Sequence, residues 1–175
     1  PLAQLEVWSV VRGPEKGGKS AGITENVLTD AALMHPWYRR FSQQLSDRRH
    51  FRILDNRLYD LVPRGPLPSG MTAVAHEALG HDGPAGNALT MVEAARDRDG
   101  VMPRVVGVNH HPEIVNRQRL ITVLKRKLER GNVTREWYEE RMRTLTEPIE
   151  DEYGDRQLHL TASYTLMAPL RFSLY

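Results

Sequence analysis

His111 and Glu113 stand two residues apart across Pro112, directly after the apolar run Val105-Val106-Gly107-Val108. A histidine whose second ring nitrogen bonds a carboxylate is held in one tautomer. It can then take a proton from a nucleophile, which is the base-and-orienter half of a catalytic triad. The position favours this reading, because polar groups at the carboxyl end of a strand lie where α/β sheets place their sites. The same residues also fit a simpler role. Pro112 suits the first position of a helix and Glu113 its first turn, where a carboxylate meets the positive end of the helix dipole.

Three other patterns invite a chemical reading and carry less. His76-Glu77-Ala78-Leu79-Gly80-His81 resembles a zinc-protease helix, but its histidines are five apart where that site needs four. At about 100° per residue the two rings would not share a helix face. A strand end followed by a loop is the better account, and no metal ligands are assigned. Gly13-Pro14-Glu15-Lys16-Gly17-Gly18-Lys19-Ser20 has the spacing of a phosphate-binding loop. Pro14 removes a backbone donor, and a strand-like run follows where a helix is needed. Arg117, Arg119, Lys125, Arg126 and Lys127 crowd one predicted helix without interleaved aromatics, the mark of a solvated face. No cofactor and no nucleic-acid partner is expected.

The elements that must position His111 can be read from periodicity. A short strand or a helix end is expected over Glu6 to Val11, and short strands over Ala21 to Leu28 and Phe51 to Leu54. Three more follow at Met71 to Glu77, Ala88 to Ala94 and Arg104 to Asn109, separated by turns rich in Gly and Asp. Thr29 and Asp30 offer caps to a brief helix that Pro36 interrupts. Arg57 to Val62 reads as a helical turn ended by Pro63. Leu120, Ile121, Leu124 and Leu128 have helical spacing, with Gly131 as the C-cap, and Thr134 opens a second helix. The stretch from Glu150 to Tyr175 alternates weakly, as an added hairpin or arm would.

These elements resemble the back half of a class I glutamine amidotransferase domain. That family ends its catalytic half with a strand of the form Gly-Val-Gln-Phe-His-Pro-Glu, and here Gly107-Val108-Asn109-His110-His111-Pro112-Glu113 stands in that place. Leu28-Thr29-Asp30 to His35-Pro36, Arg57 to Pro63, Met71 to Ala75 and Ala88 to Glu93 are similar to the segments that precede it. The likeness spans about Gly17 to Leu128. It implies an α/β fold, a flavodoxin-like three-layer sandwich with a mostly parallel or mixed sheet, incomplete here. Residues 1–130 would be the C-terminal half of the domain and residues 131–175 a helical extension and arm. It further implies a substrate, glutamine or a related γ-glutamyl compound, whose amide a cysteine attacks. Ammonia leaves and the glutamyl thioester is hydrolysed, with His111 as general base and acid and Glu113 as its orienter.

The composition constrains that implication. The 175 residues contain no cysteine, so the nucleophile must come from an N-terminal segment or a partner chain outside this sequence. Asn109-His110 also replaces the family's Gln-Phe. The absence of a starting Met and the abrupt opening at Pro1 lead us to expect a processed chain or a fragment. A non-catalytic interaction module on the same scaffold is the alternative, with aromatic residues of the C-terminal extension, such as Trp137 and Tyr164, as contacts for a partner or a homo-oligomer. Hydrophobic residues at 40%, charged residues at 26% and a net charge of +2 describe an ordinary folded chain. With no run of about 18 apolar residues and no signal-peptide layout, a cytoplasmic protein without membrane contact is expected.

Overall fold

The computed structural model describes residues 7–11, 22–55, 57, 59–80, 82–96, 98–112, 117–146, 152–169 and 171. Helices and strands are mixed, as an α/β composition requires, but every described strand pair is antiparallel. The mostly parallel or mixed sheet expected from the resemblance is not what these strands form. Part of the reason is local: the strands Thr72–Ala78, Ala85–Arg96 and Pro103–Val108 follow one another through turns too short for the crossover that parallel pairing needs.

The main sheet has the order β3-β2-β5-β6-β7. It comprises β2 (Gly22–Leu28), β3 (His50–Asp55), β5 (Thr72–Ala78), β6 (Ala85–Arg96) and β7 (Pro103–Val108). A second ribbon pairs β1 (Val7–Val11) with β4 (Tyr59–Pro63), Trp8 opposite Val62. The helical turn expected over Arg57 to Val62 is therefore a strand. Pairing with β1 supplies the backbone hydrogen bonds that decide the matter, and Pro63 closes the strand where its missing N–H does no harm.

Between β2 and β3 the chain makes two short helices, α1 (Asp30–Met34) and α2 (Tyr38–Ser42), broken around Pro36. Thr29 caps the first, its hydroxyl accepting from the Ala32 N–H at 3.1 Å and donating to the Ala73 carbonyl at 2.7 Å. One side chain thus starts the helix and pins it to the strand beneath. Leu28, Tyr38, Phe41, Phe51, Val74 and Met91 fill the core below, with Phe41 set edge-on to Phe51 at 5.2 Å.

The opposite core takes three longer helices: α3 (Arg117–Glu129), α4 (Arg135–Thr146) and α5 (Glu152–Ala162). Leu120 and Leu124 of α3, Leu145 of α4 and Leu158 of α5 meet Leu54 of β3. Gly131, at φ +67°, ends α3 as expected. Its N–H bonds the Leu128 carbonyl at 2.9 Å while Asn132 N–H bonds that of Lys127 at 2.9 Å, which is the Schellman arrangement. Thr134 caps α4 by accepting from the Trp137 N–H at 3.2 Å.

The hairpin or arm expected after Glu150 is instead α5, continued by a π-helical turn over Ser163–Met167. Alternation in Leu158-His159-Leu160 misled because α5 lies along the edge of β3 and sends Leu158 to one core and Leu160 to the other. Gln157 and Thr161, four residues apart on one helix face, donate to the outward carbonyls of His50 at 3.4 Å and Arg52 at 3.3 Å. An edge strand with open carbonyls is a pairing hazard, and this helix closes it.

Residues beyond Gly131 thus share a core with the sheet. Leu145→Ala is expected to lower stability by about 2–5 kcal/mol, whereas Val123→Ala on the solvent side of α3 changes it by no more than about 0.5 kcal/mol. Urea denaturation of the two variants makes the comparison.

Candidate functional site

Strand β7 ends at Val108 and delivers Asn109, His110 and His111 to one corner of the sheet. The Asn109 N–H donates to the Thr90 carbonyl at 2.8 Å, extending the ladder with β6 by one residue. The His111 N–H then crosses to the Leu54 carbonyl of β3 at 3.1 Å. Its backbone is therefore fixed between the ends of two strands that are far apart in the sheet order. The His111 side chain is half-buried, while His110 and Pro112 are buried. Glu113 lies outside the described residues, as do His81 and the Gly13 to Ser20 loop. His76 sits on β5, which rules out the helical zinc pattern for it. Burial lowers its pKa against the opposing effect of a bond to the Gly86 backbone.

Beneath this corner lies a buried ionic cluster that the sequence reading missed. Arg57, only 7% exposed, pairs through Nη1 with Asp55 at the end of β3 and through Nη2 with Glu77 of β5. Its Nε donates to Asp60 of β4 at 3.2 Å, and Nη1 reaches the Asn109 carbonyl at 3.5 Å. The planar guanidinium suits this task because its donors leave in fixed, divergent directions. Asp55-Asn56-Arg57-Leu58-Tyr59-Asp60 did carry a signal, two acids flanking an arginine within strand-forming sequence. Nothing in the sequence places Glu77 or Asn109 against them.

A second buried chain runs through His35, Glu93 and Arg96. The His35 Nδ1 accepts from the Trp37 N–H at 3.0 Å and the Tyr38 N–H at 3.4 Å, which leaves the proton on Nε2. That nitrogen donates to Glu93 Oε1 at 2.8 Å, and Arg96 Nε donates to the other oxygen at 3.1 Å. The arrangement copies a base-and-orienter pair, yet both members are 1% exposed, so no substrate reaches them. It joins the α1–α2 link to β6 across 58 residues. Above it, burial first and Glu93 second push the Tyr38 phenol well above its ordinary pKa, with Arg96 opposing.

At the other end of the sheet Asp47, His50 and Asp82 bring ligand-type atoms within 4.8 Å of one another, the one such group among the described residues. Both nitrogens of His50 are engaged, Nδ1 with the Asp47 carboxylate and Nε2 donating to the Gly83 carbonyl at 2.8 Å. A ring that donates from both nitrogens has no lone pair for a metal, and the group works as a clamp between two turns. Burial opposes charge on His50, but its bonds to Gly83 and Asp47 and the nearby Glu25 outweigh this and raise its pKa above 6.5. Burial likewise opposes charge on Asp47. The N–H groups of Arg49 and His50 and the His50 ring prevail, and its pKa falls below 3.8.

No protein-family model and no curated protein matches the chain. No helix among the described residues is long and apolar enough to cross a membrane.

Two outcomes follow from these clusters. Arg57→Met leaves Asp55 and Asp60 buried without their cation and is expected to destabilise the fold by about 3–5 kcal/mol, read by urea denaturation. Adding Asp55→Asn to that variant should restore part of the loss. For the clamp, the raised His50 pKa contributes stability that is fully present below about pH 6.5 and is lost as pH rises through the folded value. The lowered Asp47 pKa contributes stability present above its unfolded value and lost as pH falls through the folded one. Asp47→Asn should flatten the pH dependence on both sides when unfolding midpoints are compared from acid to alkaline pH.

Proposed function

We propose that this chain is part of a glutamine amidotransferase-like enzyme that hydrolyses the amide of glutamine or a related γ-glutamyl compound. The observation that carries the reading is the placement of His111: at the carboxyl end of β7, half-buried, with its backbone pinned to the end of β3. His111 is the general base and acid of a Cys-His-Glu triad and Glu113 its orienter. The cysteine comes from a segment or partner chain not contained in these residues. The Arg57 cluster gives the corner the stiffness that such positioning needs, since a catalytic base must be held within hydrogen-bond reach of its nucleophile.

The absence of cysteine favours a second reading, a non-catalytic interaction module on the same scaffold. The two separate by experiment. The 175-residue chain alone is expected to release no ammonia from L-glutamine. Expressed with the coding sequence upstream of Pro1, or with the partner that co-purifies from its source, it should carry a Gly-x-Cys-x-Gly elbow and release ammonia. His111→Ala should lower kcat by about 10²–10⁴-fold, the usual range for loss of a general base. Release that survives His111→Ala, or an upstream frame and partners that carry no such elbow, overturns the enzymatic reading.

A further inference from the structure

We propose that the face formed by the α1–α2 link and the π-helical turn is a docking surface for an acidic segment of another protein that carries large apolar side chains. Leu33, Trp37, Leu160 and Tyr164 are half-buried there, seated on the core beneath and open to solvent above. Met34 is 82% exposed and Met167 45%. Each stands beside a member of this group, Met34 after Leu33 in α1 and Met167 after Tyr164 in the π-helical turn. Apolar surface gathered in one place with a polar rim marks an interaction site, because a partner that covers it removes it from water.

The aromatic centre is fixed before any partner arrives. The Trp37 ring lies 5.2 Å from that of Tyr164, and its Nε1 donates to the Tyr164 carbonyl at 3.0 Å. Tyr164 in turn stacks on Phe41 at 5.3 Å, and Phe41 is fully buried. Anchors already held in one rotamer lose little freedom on binding, and Trp and Tyr are the side chains that most often dominate interface energies. The two methionines add unbranched, polarisable side chains that adapt to what they meet. The π-helical turn that presents Tyr164 and Met167 is a rare geometry, frequent at functional sites.

Charge selects the partner. Residues 31–46 and 157–171, which build this face, contain no Asp, Glu or Lys, although the chain has 22 acidic residues. Their charged side chains are Arg39, Arg40 and Arg171, all exposed. Arg40 lies one turn beyond Trp37, its N–H bonding the Trp37 carbonyl at 3.0 Å. The acids that flank the first segment are engaged elsewhere, Asp30 with Arg49 at 2.5 Å and Asp47 with His50. Aromatic residues, Met and Arg in excess, with Lys and acids depleted, is the composition that separates interfaces from the rest of a surface. An arginine rim favours a carboxylate-bearing partner, since complementary charge steers encounter and fixes orientation. It disfavours a second copy of the chain, because a two-fold interface sets the rim against itself. Docking here is independent of any reaction at His111.

The test is a ¹H–¹⁵N NMR titration of the 175-residue chain with a synthetic peptide in which Leu and Phe recur roughly every three or four residues among Glu and Asp. A counterpart carrying Lys for every acid is the control. Saturable shifts of the Met34 and Met167 amides and the Trp37 indole N–H are expected with the acidic peptide, weakening as salt is raised, and none with the basic one. Met34→Glu, at a position outside the core, and Arg39→Glu combined with Arg40→Glu should each weaken binding by about tenfold or more. Lys125→Glu with Arg126→Glu on the basic helix α3 should leave it unchanged. The proposal is overturned if the acidic peptide gives no saturable shift, if the shifts centre on α3, or if the basic peptide binds equally. It is also overturned if phosphatidylglycerol vesicles bind this face more tightly than the peptide, or if sedimentation shows a dimer that Met34→Glu dissociates. Ammonia release enters none of these outcomes, so docking and the catalytic reading stand or fall separately.

Discussion

The corner that holds His111 depends on one buried guanidinium. Arg57 draws together Asp55, Asp60 and Glu77 from three strands and touches the Asn109 carbonyl at the end of a fourth. Removing these charges from water costs several kcal/mol per ion, and only good geometry on every partner offsets it. That requirement acts as a constraint on the backbone. β3, β4 and β5 must present their acids at one point, and β7 must end beside it. A buried ionic group of this kind is weak evidence for stability by itself. Its value here is registry, because a shift of one residue in any strand would turn an acid away from Arg57.

The same logic separates the His35–Glu93 and His50–Asp47 pairs from His111. His35 and Glu93 have the better-defined geometry, but burial closes them to substrate and makes them a scaffold joint. His50 and Asp47 are reachable but committed, with both ring nitrogens bonded. His111 is half-buried at a strand end, between these extremes. Burial and existing bonds decide what a histidine–carboxylate pair can do, and neither can be judged from spacing along the chain.

The edges of the sheet show how the C-terminal segment contributes. β3 would be an open edge without α5, whose Gln157 and Thr161 occupy its outward carbonyls. The same helix divides its apolar residues between two cores, which holds α3 and α4 on one side and the π-helical turn with Trp37 and Tyr164 on the other. The sheet edge and both cores are thus closed by residues beyond Gly131.

Where local chemistry decides, the sequence was enough. Thr29 at an N-cap, Pro36 between two short helices, Gly131 at positive φ and the apolar run before His111 each act through neighbours a few residues away. The strands on either side of the Gly-rich turns were legible for the same reason. Tertiary structure decided the rest. Arg57 to Val62 had the look of a helical turn and became a strand because β1 offered it hydrogen bonds, and Leu158 to Leu160 alternated like a strand yet form a helix that straddles two cores. Antiparallel pairing of β5, β6 and β7 follows from connections too short for a crossover, whereas β2 pairs antiparallel with β3 and β5 across longer segments of chain. The Arg57–Glu77 and His35–Glu93 contacts join residues 20 and 58 positions apart. Their existence depends on strand order and register, which are set by how whole faces are buried and which no short window of residues contains.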